Sequence, residues 1–260
     1  MSTARATKVA IVTGGGTGTG AATSRLLAAH GYAVLVNYNR SAEAAEATVA
    51  SCREHGADAT AARGDVADDA DCRRLVAEAV ERFGRLDAVV NSAGTTQFTG
   101  MGDLDAQNAA DFHAIYAVNL IGPFQMARAA APHLRQAGAG AIVNVSSTST
   151  LTGDGSSFAY VASKAALNAL TLGLARQLAP EIRVNAVMPG LIDSDWFPRA
   201  MGQEAYERVR ANWVARSPLG KISTPEQVAE TIVWLVDHAA MITGQIVTVD
   251  GGALLGPKRG

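Results

Sequence analysis

Tyr160 and Lys164 stand four residues apart in the run Ser156-Ser-Phe-Ala-Tyr-Val-Ala-Ser-Lys164. That spacing sets both side chains on one face of a helix. A free phenol has a pKa of about 10 and exchanges protons poorly near neutrality. A neighbouring cation typically lowers that value by about 1–3 units, so the two together could handle a proton. Ser147, thirteen residues before Tyr160, offers a hydroxyl that can donate to a developing alkoxide. Metal chemistry has no comparable signature. The histidines His30, His55, His113, His133 and His238 form no HExxH pattern, and Cys52 and Cys72 form no CxxC or CxxH spacing, so no metal site or disulfide framework is expected.

A second chemical feature lies near the N-terminus, in Thr13-Gly-Gly-Gly-Thr-Gly-Thr-Gly20. Glycines at a strand-to-helix turn let backbone approach a pyrophosphate, and the helix N-terminus adds free N–H groups. No Lys-Ser or Lys-Thr follows Gly20, which excludes the triphosphate-binding P-loop. Gly14, Gly18 and Gly20 sit better against the end of the strand than Gly16, Gly18 and Ala21 do. Gly14, Thr17, Gly18, Thr19 and Gly20 are therefore expected to hold a dinucleotide. Such sites usually carry an acid about 20 residues on, for the ribose 2′-hydroxyl. Here the chain reads Asn37-Tyr38-Asn39-Arg40-Ser41. An acid would repel a 2′-phosphate, whereas a guanidinium can bind it with paired hydrogen bonds. NADP(H) is favoured over NAD(H), with Tyr38, Asn39, Arg40 and Ser41 around the phosphate; the bland alternative makes Arg40 a solvated loop cation.

The elements that must position these groups alternate. Strands are expected at Val9–Val12, Ala33–Asn37, Thr60–Ala62, Leu86–Val90, Ala141–Val145, Arg183–Val187 and Gln245–Val249. Helices are expected at Gly18–His30, Ala42–His55, Asp68–Phe83, Ala106–Gln136 with a break at Gly122-Pro123, Ser157–Ala179, and from Thr224-Pro225 onward. Apolar strands alternating with helices imply a parallel sheet covered on both faces. The fold class is α/β, one doubly wound domain over residues 1–260 with about seven strands. The 48% hydrophobic and 18% charged residues suit a globular chain, and a net charge of −2 gives no reason to bind nucleic acid or an acidic membrane. Val9–Val12 is too short for a secretion leader, and no apolar run is expected to approach the roughly 18 residues of a membrane span. A cytoplasmic protein is the expectation.

The ordered set Thr13-Gly14-xxx-Gly18-x-Gly20, Asp65-Val66, Asn91-Ser-Ala-Gly94, Asn119, Ser147, Tyr160-xxx-Lys164, Pro189-Gly190 and Asp250-Gly-Gly252 resembles the short-chain dehydrogenase/reductase family over essentially the whole chain. Within it, the chain resembles the 3-oxoacyl-[acyl-carrier-protein] reductase-like subgroup. Ser92 departs from the asparagine the family often has there. The resemblance implies a Rossmann fold and a role for each residue. Tyr160 would be general acid for ketone reduction and base for alcohol oxidation, and Ser147 would orient the carbonyl oxygen. Lys164 would hold the nicotinamide ribose and lower the Tyr160 pKa, with Asn119 supporting a water-linked proton relay to it. Asp65 and Val66 would flank the adenine. Asn91, Ala93 and Gly94 would lie along the cofactor, and Pro189, Gly190, Ile192 and Ser194 near its nicotinamide end.

The segment from about 191 to 221 has no clear periodicity and is expected to be an irregular substrate loop. Trp196, Phe197, Met201 and Trp213 could cover the site, although Trp213 could equally pack on the body. Gln97, Phe98, Thr152 and Phe158 are further pocket candidates. The expected partner is a small-molecule carbonyl or alcohol; a 3-oxoacyl thioester is an alternative. An acidic carrier protein should meet a basic rim, and Arg128, Arg135 and Arg176 are few and separated. The resemblance also implies a homotetramer or homodimer. Two rival readings are a non-enzymatic NADP(H)-binding regulator, which has no need of the intact residue set, and a methyltransferase, which leaves Tyr160 and Lys164 unexplained.

Overall fold

The computed structural model describes residues 7–99 and 101–257; the expected domain bounds at 1 and 260 lie outside them. The strands are β1 (Val9–Thr13), β2 (Ala33–Tyr38), β3 (Ala59–Arg63), β4 (Ala88–Asn91), β5 (Gly140–Val145), β6 (Ile182–Pro189) and β7 (Ile246–Val249). They form one sheet in the order β3-β2-β1-β4-β5-β6-β7, with every pairing parallel. The helices are α1 (Gly18–Ala29), α2 (Ala42–Glu54), α3 (Asp69–Phe83), α4 (Ala109–Tyr116), α5 (Gly122–Ala137), the short α6 (Ser149–Thr152), α7 (Phe158–Leu178), α8 (Trp196–Met201), α9 (Gln203–Arg216) and α10 (Pro225–Asp237).

Alternate residues along the strands feed two cores. Ala10, Val12, Val34, Val36 and Val143 pack under α1, α2 and α10, while Val9, Ile11, Leu35, Val89 and Ile142 pack under α3, α5 and α7. A sheet buried on both faces is what apolar strands without polar alternation require. Strand order reverses between β1 and β4, which opens a crevice at the strands' C-terminal ends. Register levels those ends: Thr13 pairs with Asn91, Asn91 with Asn144, and Val145 with Val187.

Local signals held where they were strongest. The Asp68 carboxylate caps α3 through Ala70 N–H and Gly84 ends the helix at φ 82°. Thr224 and Gln227 form a reciprocal cap on α10. Three expectations change. β4 begins at Ala88, because Asp87 instead accepts from Val9 N–H at 2.8 Å and holds Arg85 with both oxygens. The break expected at Gly122-Pro123 is a π-helical turn over Ala117–Ile121, with Pro123 in the first turn of α5. An 18-residue window of the 21-residue α7 has a mean hydropathy of 1.2, so by length and composition alone this helix is long and apolar enough to cross a membrane, contrary to expectation. In this fold α7 packs along β6 and carries buried Lys164 and Thr171.

Candidate active site

The glycine turn is fixed by close approach. Gly14 and Gly18 adopt φ of +61° and +49°, a region that favours glycine. A Cβ on Gly20 would stand 2.2 Å from the Gly14 carbonyl oxygen, and one on Gly14 would stand 2.9 Å from the Ala93 Cα. Thr17 is the N-cap of α1 but makes no side-chain cap bond, so its hydroxyl does not occupy the first-turn N–H groups; Thr19 follows in that turn. Sequence reading passed over Asn37. Its amide accepts from Gly14 N–H at 3.3 Å and donates to the Gly64 carbonyl at 3.0 Å, binding the turn to β2 and to the chain leaving β3. A polar residue ending an otherwise apolar strand was the available signal.

Tyr38 is half-buried at the end of β2, and Asn39, Arg40 and Ser41 are exposed beyond it. Arg40 joins no ion pair among the described residues. Arg63 is paired with Tyr38 in the register and places a second exposed cation at this corner, which the sequence reading missed. The Asp65 carboxylate accepts from Ala67 N–H at 3.0 Å. Buried Val66 lies against Gly122, and its carbonyl accepts from Gln125. The Asn91 side chain is committed within the protein. Its buried amide donates to Asn144 at 2.9 Å, and Asn144 donates to Thr171, so the Asn91 side chain braces β4, β5 and α7. The turn after it stays near the crevice: Ala93 N–H donates to the Thr13 hydroxyl, and Gly94 is exposed.

Ser147 follows β5, and its hydroxyl accepts from Ser149 N–H at 3.2 Å. Ser157 caps α7 by accepting from Tyr160 N–H at 3.1 Å, which fixes the first turn where Tyr160 sits. Lys164 lies one turn further on and donates from Nζ to the Val145 carbonyl at 2.8 Å. Asn119 is fully buried in the π turn, a helix irregularity common at functional sites. Its Oδ1 accepts from Thr95 N–H at 2.8 Å, and its Nδ2 donates to the Thr95 carbonyl and the Ser163 hydroxyl. Ser163 in turn donates to the Tyr160 carbonyl at 2.7 Å. Asn119 thus reaches the Tyr160–Lys164 helix through Ser163, while Ser147 faces the phenol directly.

The electrostatics reverse one expectation. Burial raises the Tyr160 pKa, and the hydrogen bond with Ser147 opposes only part of that rise. Burial also pulls Lys164 down to about 8. The expected lowering of Tyr160 by Lys164 is therefore not the dominant effect: the ammonium is itself desolvated and spends a hydrogen on Val145. The phenol is held in its protonated form.

The segment after β6 is also more ordered than expected, because it folds into α8 and α9 around its own small core of Leu191, Tyr206 and Ile222. Pro189 ends β6 and its carbonyl accepts from Thr148 N–H. A Cβ on Gly190 would meet the Trp213 ring at 2.8 Å, so Trp213 packs on the body. Ile192 bridges to Ser223, Ser194 is half-buried beside it, and the Tyr206 hydroxyl donates to Asp193 at 2.6 Å.

The crevice suits a dinucleotide. Gly14, Gly15, Gly16 and Gly20 have no room for a Cβ, and a Cβ on Gly94 would lie 3.7 Å from both Asn119 Oδ1 and Lys164 Nζ, so that glycine borders the polar pair. Comparison with known proteins agrees. A family model described as Enoyl-(Acyl carrier protein) reductase matches residues 14–253. A Streptomyces violaceoruber protein ascribed to the granaticin polyketide synthase as ketoacyl reductase 2 is 42% identical over 95% of this chain and 96% of its own. Cis-4-hydroxycyclohexanecarboxylate dehydrogenase of Sinomonas cyclohexanicum is 39% identical over 97% and 98%. The 3-oxoacyl-[acyl-carrier-protein] reductase of Staphylococcus aureus is 36% identical over 95% and 98%. A Burkholderia xenovorans crystal structure described as a short-chain dehydrogenase/reductase superposes with a TM-score of 0.89 at 40% identity, covering 97% of this chain and 100% of that one. The chain belongs to the short-chain dehydrogenase/reductase family and is similar to its 3-oxoacyl-[acyl-carrier-protein] reductases.

Proposed function

We propose that the chain is an NADP(H)-dependent oxidoreductase that reduces a small-molecule ketone, or oxidises the corresponding secondary alcohol. The observation that carries this reading is the half-buried Tyr160 phenol with Ser147 beside it and Lys164 one turn behind. A carbonyl oxygen placed between the two hydroxyls would accept from both. As negative charge develops on that oxygen, Ser147 stabilises it by donation and Tyr160 delivers its proton. The bound dinucleotide supplies the hydride. Burial raises the phenol's pKa, so its proton is available for donation near neutrality. Asn119 is a positioning residue, because it acts through Thr95 and Ser163.

Gly14, Thr17, Gly18, Thr19 and Gly20 would hold the pyrophosphate at the α1 N-terminus, and Lys164 with Gly94 the nicotinamide ribose. Asp65 and Val66 would flank the adenine, and Pro189, Gly190, Ile192 and Ser194 would border the nicotinamide. Exposed Arg40 and Arg63 support the 2′-phosphorylated cofactor. The cysteines Cys52 and Cys72 are free and buried, in keeping with a proposed cytoplasmic setting.

A homotetramer is proposed from exposed Phe112, Ile121, Phe124 and Leu172 on α4, α5 and α7 and the chain between, apolar groups a lone subunit would leave in water. Light scattering of Phe124→Glu should then give a smaller assembly than wild type. The activity itself is tested by following NADPH absorbance across a panel of ketones, with Tyr160→Phe as control; turnover that survives this change would overturn the mechanism.

A further inference from the structure

Two aromatic rings join the body of the protein to the α8–α9 segment. Phe98 lies in the loop after β4, and Phe197 lies in α8. Their ring centroids are 5.8 Å apart at 78°, an edge-to-face contact, and Trp196 stands 6.0 Å from Phe197. The loop bearing Phe98 is laced to the start of α7. Thr99 N–H donates to the Ser156 carbonyl at 3.2 Å, and the Thr96 and Ser156 hydroxyls lie 2.5 Å apart. The aromatic contact therefore closes the space between the covering segment and the turn that presents Tyr160.

Polar groups nearby are already committed. Gln97 donates to Asp111 at 2.7 Å, and Thr152 serves the turn at Asp154. On the covering segment, Arg199 pairs with Asp195 at 3.0 Å and Arg208 with Glu204 at 2.6 Å, while Arg128 across the body pairs with Asp69. These surface pairs tie up Arg199, Arg208 and Arg128 within the protein.

We propose that Phe98 and Phe197 form the wall that decides substrate class, selecting a ketone set in an apolar carbocyclic ring over an open-chain one. This rests on the ketone-reductase reading above. Flat or fused rings present broad apolar faces to edge-to-face aromatics, whereas a flexible chain loses rotational freedom to make the same contact.

The test compares decalone, a fused-ring ketone, with octanone, an open-chain one, in NADPH-coupled assays of wild type, Phe98→Ala, Phe197→Ala and Phe197→Leu. Removing one apolar wall should raise KM for decalone about tenfold or more, while KM for octanone shifts less than about threefold on the same scale. Equal shifts for both ketones, or an unchanged decalone KM, overturn the proposal. The leucine variant keeps apolar volume in α8, so its decalone-to-octanone ratio carries the test if an alanine variant misfolds. Should wild type turn over neither ketone, decalone is titrated against NADPH-loaded protein by tryptophan fluorescence. Saturable binding lost in Phe197→Leu keeps the wall and overturns the reductase reading; no binding overturns the wall.

Discussion

The Lys164 ammonium sits 5.8 Å from the centre of the Tyr160 ring. It is close enough to act on the phenol by charge, yet its hydrogen bond goes to the Val145 carbonyl. This geometry separates the two roles. Under the proposed function Tyr160 is the proton donor, while Lys164 is a buried cation anchored to the end of β5.

Removing the donor should abolish turnover without unloading the cofactor. Tyr160→Phe should lower kcat by about 10²–10⁴-fold, and Ser147→Ala by about 10²–10³-fold. In both variants the NADPH Kd, read by fluorescence titration, should stay near wild type. A large loss of NADPH affinity in Tyr160→Phe would move that residue from proton transfer to cofactor binding.

The pH profile should report Lys164. Its pKa is pulled down to about 8 by burial, whereas the Tyr160 pKa is raised. Lys164 therefore loses its charge first as pH rises, and the phenol keeps its proton through the same range. The reductive kcat/KM should be flat below pH about 7 and fall through the region where this lysine titrates. A profile level to pH about 10, the range of an ordinary lysine, would remove Lys164 from the titration.

Cofactor preference should rest on Arg40. Charge-assisted hydrogen bonds contribute about 1.5–3 kcal/mol each, so Arg40→Ala should weaken NADPH about ten- to a hundredfold. NADH affinity should change little. Arg63→Ala should shift the ratio in the same direction by less. Matching losses for both dinucleotides in Arg40→Ala would show that this guanidinium does not read the 2′-phosphate.

Far from the site, Asp237 ties three elements together. It accepts from Tyr32 at 2.6 Å, from Lys8 at 3.1 Å and contacts His30 Nδ1 at 3.1 Å. Burial alone would raise its pKa, but the bonds from Tyr32, Lys8 and His30 outweigh this and leave it lowered. A carboxylate depressed in the folded state stabilises above its unfolded pKa of about 3.9, and that stability is lost as pH falls through the lower folded value. Asp237→Asn should cost about 2 kcal/mol at pH about 7. The difference from wild type should shrink toward zero in acid, below pH about 3. Urea denaturation at the two pH values measures this, and a deficit independent of pH would assign the loss to packing.

The sequence alone determined what short-range physics controls. Apolar runs of strand length alternating with capped helices required a parallel sheet covered on both faces. The glycines before α1 specified a turn without side chains, and the spacing of Tyr160 and Lys164 put them on one helix face. Tertiary structure decided what depends on neighbours far along the chain. Sheet register brought the ends of β1, β4, β5 and β6 level, which turned Asn91 into a brace and made Asn37 the clasp of the glycine turn. The stretch after β6 read as irregular because α8 and α9 carry polar, charge-paired faces around a very small core. The direction of the Tyr160 shift was hidden for the same reason: a pKa follows burial and through-space contacts, which exist only once α7 has packed against β5 and β6.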